Sequence, residues 1–373
     1  MRVSGALLIV VLLALVGSAV DVHAEPDPFS EIQAATPSPL PESGGWSSLW
    51  KDGLLFRKEW MSVFGFPWLS QQSLGFEIQK KFSTARRTYL GFNIQNRLAR
   101  RDGSATPWGW AYEIHNLYAD LYDPAHPFLP EKAQAEMLGR LNLRVGKSYV
   151  PFGINVQTDT HATLLQLSNE ENFGFERDWG LGLWGLISEE LRYDFGYFLG
   201  SGHVLRFKRQ IGVVAGRVGL SNHFLNEYGV EGGGSILIGQ RLSDTGPHRT
   251  ETLWTERAGI DARFRHWVPS GTAIATVEWS AGQDYLDDIL TQLYQVEYLH
   301  GSRRFGAATQ YRWFAHDPTT KWETVTARAG LEATMYFRNE ESGANLHWIK
   351  LAWEHRFKEA LRNVWQVQYY LLF

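Results

Sequence analysis

The chain has 373 residues, with 36 Lys+Arg against 40 Asp+Glu and a formal net charge of -4; without a basic footprint, nucleic acid is not an expected partner. It contains no cysteine, which excludes disulfides, Cys-ligated zinc, covalent c-type haem attachment and thiol chemistry. Aromatic residues make up 14% of the chain although mean hydropathy is only -0.27, and the one long apolar run is N-terminal. A bundle of membrane helices is thereby excluded, leaving a barrel that alternates lipid-facing and water-facing side chains or a large soluble all-β protein.

At the N-terminus, Arg2 precedes an apolar run, Ala6 to Val16, too short to span a bilayer. Val22-His23-Ala24 then reads as a small-x-Ala cleavage site. Residues 1–24 are expected to be a signal peptide, with a mature start at Glu25; the competing reading is an uncleaved anchor. The following segment, 25–45, is rich in Pro, Ser and acidic residues and is expected to be a flexible periplasmic tail.

From residue 46 onward, segments with a period of two recur. In chain order they lie near 50–62, 73–82, 87–98, 109–122, 134–147, 178–187, 191–199, 209–219, 228–239, 253–266, 271–280, 289–299, 303–314, 322–336, 347–357 and 362–373. That is about 16 strands, an even number as expected of a single-chain antiparallel barrel. The parity is explicit. Leu143 and Val145 share a face with Gly139 and Leu141, opposite Arg140, Asn142 and Arg144. Ala258, Ile260, Ala262 and Phe264 oppose Asp261, Arg263 and Arg265; Ala327, Ala329, Leu331 and Ala333 oppose Arg328 and Glu332. A lipid-facing Arg or Lys costs about 2–4 kcal/mol at the bilayer midplane, so the charged faces should point inward, where they require water. Placing the C-terminus in the periplasm makes 83–86, 188–190 and 267–270 periplasmic turns and 148–177 and 240–252 outer loops; 123–133 and 337–346 are long for periplasmic turns.

Several clusters invite chemistry. Asp159 and His161 in a TDTH run lack a third metal ligand. Ser221-Asn222-His223 sit together in one predicted turn, where a turn role is the simpler account than hydrolysis. Gly232-Gly233-Gly234 does not match a phosphate-binding glycine motif and marks a strand bend or close approach. Trp279, Tyr294, Tyr298, Trp313, Trp348, Trp353 and Trp365 are expected in interfacial girdles, with pore-lining sugar platforms as the alternative.

The chain closes with RNVWQVQYYLLF, in which Trp365, Val367, Tyr369, Leu371 and Phe373 share one face and Gln366 and Gln368 the other. This resembles the closing strand of bacterial outer-membrane barrels, and the resemblance implies recognition by the barrel assembly machinery through the Phe373 strand. The stretch 143–202 carries Arg144-Val145-Gly146-Lys147, Val150-Pro151-Phe152-Gly153, Glu176-Arg177-Asp178-Trp179-Gly180 and Tyr193 to Gly200 (YDFGYFLG). These motifs resemble outer-membrane porins, particularly the phosphate-selective O and P type and its relatives. The resemblance implies that the 148–177 connection after the fifth strand folds into the lumen as a constriction loop.

Candidate pore-lining residues are Arg97, Arg140, Arg144, Arg263, Arg265, Arg312, Arg328 and Lys350 on the wall, and Asp159, Glu170, Glu171 and Glu176 on the loop. A basic wall facing an acidic loop would set a transverse field favouring polar solutes. No dense arginine ladder with a lysine cluster is visible, so phosphate specificity does not follow. The expectation is a transmembrane antiparallel barrel, 46–373, in the outer membrane of a Gram-negative bacterium. It would be surrounded by outer-membrane lipid and would pass small hydrophilic solutes or ions with a weak anion preference. It needs no cofactor, metal or catalytic residue, and barrels of this size often form homotrimers. The alternatives are a barrel sheath around a periplasmic multihaem cytochrome and an outer-membrane enzyme; the latter needs a nucleophile–base constellation that the sequence does not offer.

Overall fold

The computed structural model describes residues 54–66, 69–84, 87–101, 109–154, 164–165, 168–202, 205, 211–221, 224, 228–242, 252–285, 287–302, 304–316, 326–338, 346–357 and 362–372. The expected signal peptide and tail, Asp159, His161, Asn222, His223 and Phe373 lie outside them.

Sixteen strands form one closed barrel in which every strand pairs with its sequence neighbours. They are β1 Leu54–Phe66, β2 Leu69–Ser83, β3 Thr88–Arg101, β4 Trp110–Tyr122, β5 Asn142–Tyr149, β6 Arg177–Leu186, β7 Leu191–Phe198 and β8 Gly212–Leu220. The second half comprises β9 Val230–Leu242, β10 Thr252–Val268, β11 Gly271–Asp284, β12 Asp287–His300, β13 Phe305–His316, β14 Thr326–Arg338, β15 Leu346–Phe357 and β16 Asn363–Leu372. Closure is antiparallel between β1 and β16, from Glu59 opposite Leu372 to Phe66 opposite Trp365. Closing the sheet removes the edges whose unpaired N–H and C=O groups hydrocarbon cannot satisfy.

The side chains are arranged inside out relative to a soluble protein. Leu331, Ile260 and Phe64 point outward and stay 53%, 60% and 57% exposed, with many other large apolar residues around them. An apolar band of this extent is tolerated by lipid, not by water. Inward-facing Arg97, Glu59, Glu278, Arg312 and Lys350 are buried. On β16, Trp365 and Val367 are exposed on the outward face while Gln368 and Tyr370 are buried on the inward one. Trp279 and Trp365 face outward, but Trp348 does not belong to a girdle: it is buried inside, stacked on Tyr370 with ring centroids 4.2 Å apart.

Two local features depart from simple alternation. The fifth strand begins at Asn142, not 134, because Glu131–Glu136 form a short helix, α1, after Pro124, Pro127 and Pro130. EKAQAE is built of strong helix formers, and a proline precedes its first turn. The ends of this connection are held together at Asp123, whose Oδ1 accepts the Gly139 N–H at 2.7 Å while its own N–H donates to Asn142 Oδ1 at 3.1 Å. The second departure is in β4. Gln95 pairs with Asn116 but Asn96 pairs with Ile114, so His115 is the extra residue of a β-bulge. Trp110 and Tyr112 are outward before it, Leu121 after it.

Leu54 and Leu372 lie at one end of the barrel, the terminal end; the β5–β6 connection leaves from the other, the loop end. Connections 84–87, 187–190, 269–270 and 301–304 at the terminal end are short, whereas 123–141, 221–229 and 339–345 there are longer. At the loop end, β1 and β2, and β11 and β12, are separated by only two residues each, beside the long connections 150–176 and 243–251. The expected contrast between short and long ends is therefore partial.

Candidate functional site: the lumen and its inward loop

The β5–β6 connection turns into the barrel and crosses it. Near its start, Val150, Phe152, Phe173 and Phe175 pack with inward-facing Phe198 of β7, Val213 and Ala215 of β8 and Leu237 of β9 in one buried apolar cluster. Phe173 makes edge contacts with both Phe152 and Phe175, at 5.5 and 5.2 Å between centroids. The loop backbone then bonds wall side chains far away in sequence. Gly153 N–H donates to Ser235 Oγ of β9 at 2.9 Å and Ile154 N–H to Glu278 Oε2 of β11 at 3.1 Å. Leu164 N–H donates to Glu332 Oε2 of β14 at 3.0 Å. Leu164 also packs beside Met61, Val63, Trp348 and Tyr370, the second buried apolar cluster inside the barrel. A short helix, α2 (Ser168–Phe173), returns the chain: Asn172 Nδ2 donates to Ser280 Oγ at 2.8 Å and Asn169 Nδ2 to Phe152 O at 3.1 Å.

The sequence motifs 150–153 and 176–180 are the hinge of this arrangement. Gly153 has φ +69, and a Cβ there would lie 2.3–2.7 Å from the Glu278 carboxylate, so only glycine fits both the backbone and the contact. Arg177 stacks on Tyr149, 4.0 Å from its ring centroid, and donates to the Tyr149 hydroxyl. Asp178 is fully buried and accepts the backbone N–H groups of Gly200 and Ser201.

The wall candidates separate into distinct positions. Arg97 of β3 donates through Nε to Glu59 at 2.9 Å, and Glu59 also accepts from the Tyr370 hydroxyl. Arg144 of β5 forms a bidentate pair with Asp120, at 2.7 and 2.9 Å. Arg263 lies 3.4 Å from Glu231, Arg312 3.0 Å from Glu354, and Lys350 2.6 Å from Glu332. Arg265 is half-buried toward the terminal end of β10. Arg328 faces inward, opposite Arg312 on one side and Arg356 on the other. Arg140 is not on the wall: it is exposed in the turn before β5, where Nη1 reaches Ile187 O at 3.1 Å. On the loop, Glu176 is buried 3.5 Å from Arg177; Glu170 and Glu171 lie in α2, their side chains outside what is described.

Most wall cations are thus neutralised by wall carboxylates. The carboxylates that meet the loop, Glu278 and Glu332, do so through its backbone N–H groups. Strand parity alone could have found Arg217, Glu231 and Arg257, which share the inward face. It could not have found the pairing of Glu278 with Ile154, which joins residues far apart in the chain.

Among the described residues no group of His, Cys, Asp and Glu is placed to hold a metal. Ser221 Oγ donates to Glu189 O at 2.6 Å, a turn bond. The sheath reading gains no support, because the space a cytochrome would fill is crossed by the protein's own loop.

No protein-family model matches the sequence, and no curated protein matches it. Solved structures do. An anion-selective porin from Comamonas acidovorans superposes with a TM-score of 0.55 at 8% identity, covering 86% of this chain and 98% of that one. The outer-membrane channel DcaP of Acinetobacter baumannii gives 0.55 at 9% identity, covering 86% and 97%. OprB of Pseudomonas putida gives 0.53 at 9% identity, covering 86% and 94%. Identities this low show the fold, and the fold they share with this chain is a porin-type transmembrane barrel, an architecture of the bacterial outer membrane.

Proposed function

We propose that this barrel is an outer-membrane porin, a water-filled channel through which small hydrophilic solutes or ions diffuse passively. The observation that carries the reading is the lumen itself. A barrel that turns apolar side chains to lipid keeps its arginines and carboxylates inside, and a polypeptide segment folds in to narrow the passage. Charged walls need water to remain ionised, and continuous water is a conduction path.

The channel is proposed to prefer anions weakly. On β13, β14 and β15, Arg312, Arg328 and Arg356 occupy one register row, and Glu354 meets Arg312 at 3.0 Å and Arg356 at 2.6 Å. Three guanidinium groups gathered in one row place positive charge on this part of the wall, and that is the basis of the proposed preference. Phosphate specificity is not proposed, because Arg97, Arg144 and Arg312 each hold a carboxylate partner. A homotrimer is proposed on the precedent of barrels of this size, with lipid around it and assembly-machinery recognition at the β16 strand.

Planar-bilayer recording in a salt gradient tests this. The expected result is ohmic conductance with a reversal potential of the sign set by anions. Absence of conductance overturns the channel, and a reversal potential near zero overturns the preference. Native mass spectrometry in detergent reads the oligomer.

A further inference from the structure

Most charged side chains inside the barrel are both buried and fully engaged. One group is not. Directly on the terminal side of the loop's apolar footing, β5, β6 and β7 bring Arg144, Trp184, Arg192 and Asp194 to adjoining inward positions: Arg144 is opposite Gly182, and Trp184 is opposite Asp194. The Arg144, Arg192 and Asp194 side chains keep 25%, 25% and 28% of their surface exposed, although all three face the interior.

The floor and sides of this recess have a definite chemistry. At Gly182 an added Cβ would make ordinary contacts with Phe195 O at 3.4 Å and Arg144 Cβ at 3.8 Å, both part of the wall, so bare backbone forms the floor between Arg144 and Trp184. The Arg144 guanidinium lies 4.2 Å from the Tyr118 ring centroid and 5.7 Å from that of Trp184, and the Trp184 ring is braced edge-on by Tyr122 at 5.7 Å. Asp120 takes Nε and Nη2 of Arg144, leaving Nη1 without a partner among the described residues. Arg192 and Asp194 approach to 3.9 Å, too far for a direct hydrogen bond and the separation at which a bridging hydroxyl or water fits.

We propose that this recess is a solute-binding subsite for a neutral polyhydroxylated ring of monosaccharide size. The proposal rests on the channel reading and names a solute class for it. Formal charge within the recess balances, Arg144 with Asp120 and Arg192 with Asp194, so neither a simple anion nor a simple cation is favoured. A hydroxyl both donates and accepts; vicinal hydroxyls can accept from Arg192 and Arg144 Nη1 while donating to Asp194. The aromatic rings supply the apolar surface that the ring's C–H groups need. A solute that clears the loop meets the recess next.

The test is the effect of glucose on single-channel current, with each variant referred to its own open current. Saturable binding heat is measured in parallel on the detergent-solubilised barrel, which does not depend on conduction. The expected result is saturable, partial block by glucose. Asp194→Asn and Trp184→Ala should each raise the half-blocking concentration about tenfold or more, the effect of losing one charged hydrogen-bond partner or a stacking face. Thr309→Ala on the outward face should not. Conduction without block or binding heat overturns the subsite and leaves the channel standing. Block that neither variant shifts overturns its location. Binding heat without any conductance sustains the subsite and overturns the channel.

Discussion

Glu332 of β14 accepts the backbone N–H of Leu164 at 3.0 Å with one carboxylate oxygen and the Lys350 ammonium at 2.6 Å with the other. One buried side chain thereby fastens the inward loop to the wall and neutralises a wall cation. Glu332→Ala removes both contacts and leaves Lys350 without its carboxylate, a change expected to destabilise the barrel by about 3 kcal/mol. Conductance should rise or become noisy as the loop loses its far attachment. Glu332→Gln keeps an oxygen for Leu164 and should show the smaller conductance change. Thermal unfolding and bilayer recording read the two effects separately; quiet, unchanged current in Glu332→Ala would show that Leu164 is held by its apolar neighbours alone.

Gly153 is the corresponding joint at the loop's near side. Its left-handed backbone, φ +69, costs an alanine about 1–2 kcal/mol. The new methyl would also displace the Glu278 carboxylate from Ile154 N–H. Gly153→Ala is therefore expected to lower the unfolding temperature and to alter conductance. Ser235→Ala, which removes only the bond to Gly153 N–H, should cost about 1 kcal/mol. Equal effects of the two variants would contradict the steric argument.

Outward and inward faces can be tested by a single charge. Leu331 is on the lipid face of β14, and Leu331→Arg should cost about 2–4 kcal/mol near the midplane. Folding yields into vesicles of a short-chain lipid, read by the heat-resistant band on a gel, should fall. Normal assembly would mean that Leu331 does not lie against hydrocarbon.

The strands could be read because the barrel imposes one rule on all of them: lipid on one side and water on the other forces a period of two. Each of the sixteen strands overlaps a segment of alternating residues, and Arg263, Arg312, Arg328 and Lys350 have the inward face that the alternation assigns. The rule fails where something else sets the backbone. Over 124–141 three prolines followed by a run of helix formers outweigh alternation, which removes Arg140 from the wall. At Trp348 and Tyr370 the inward face is aromatic because it packs beside the loop, and residues inside such a cluster look like girdle residues in sequence. The ion pairs were illegible for a different reason. Arg97 with Glu59 and Arg144 with Asp120 join separate strands, and their partners follow from register, which a single sequence does not state.

The His115 bulge gives register a direct test. Asn116 faces inward and Ile114 outward, with His115 inserted between them. Deleting His115 restores an uninterrupted ladder without moving any other β4 side chain to the opposite face, so the deletion variant should still assemble. Deleting Ala119, which lies in regular pairing with Phe92 and Val145, reverses the faces on one side of the gap and should abolish assembly. Folding yield into vesicles distinguishes them, and loss of assembly in both would mean that His115 is needed for its own contacts.

Asp178 connects the inward loop to the next part of the wall. It is fully buried, lies one residue beyond the Arg177–Tyr149 stack, and accepts the Ser201 N–H at 3.2 Å and the Ser201 hydroxyl at 3.3 Å as well as the Gly200 N–H. Asp178→Ala removes the acceptor of three backbone donors, the N–H groups of Trp179, Gly200 and Ser201, each costing about 1–3 kcal/mol if left unpaired, so the variant should unfold at clearly lower temperature. Asp178→Asn retains one acceptor oxygen and should recover part of that loss. If instead the two variants were equally destabilised, the carboxylate's charge rather than its acceptor geometry would be what β6 requires. In that case its electrostatic partner should be sought in Arg177, its chain neighbour on β6, and in Lys147 of β5, which pairs with the adjacent Trp179.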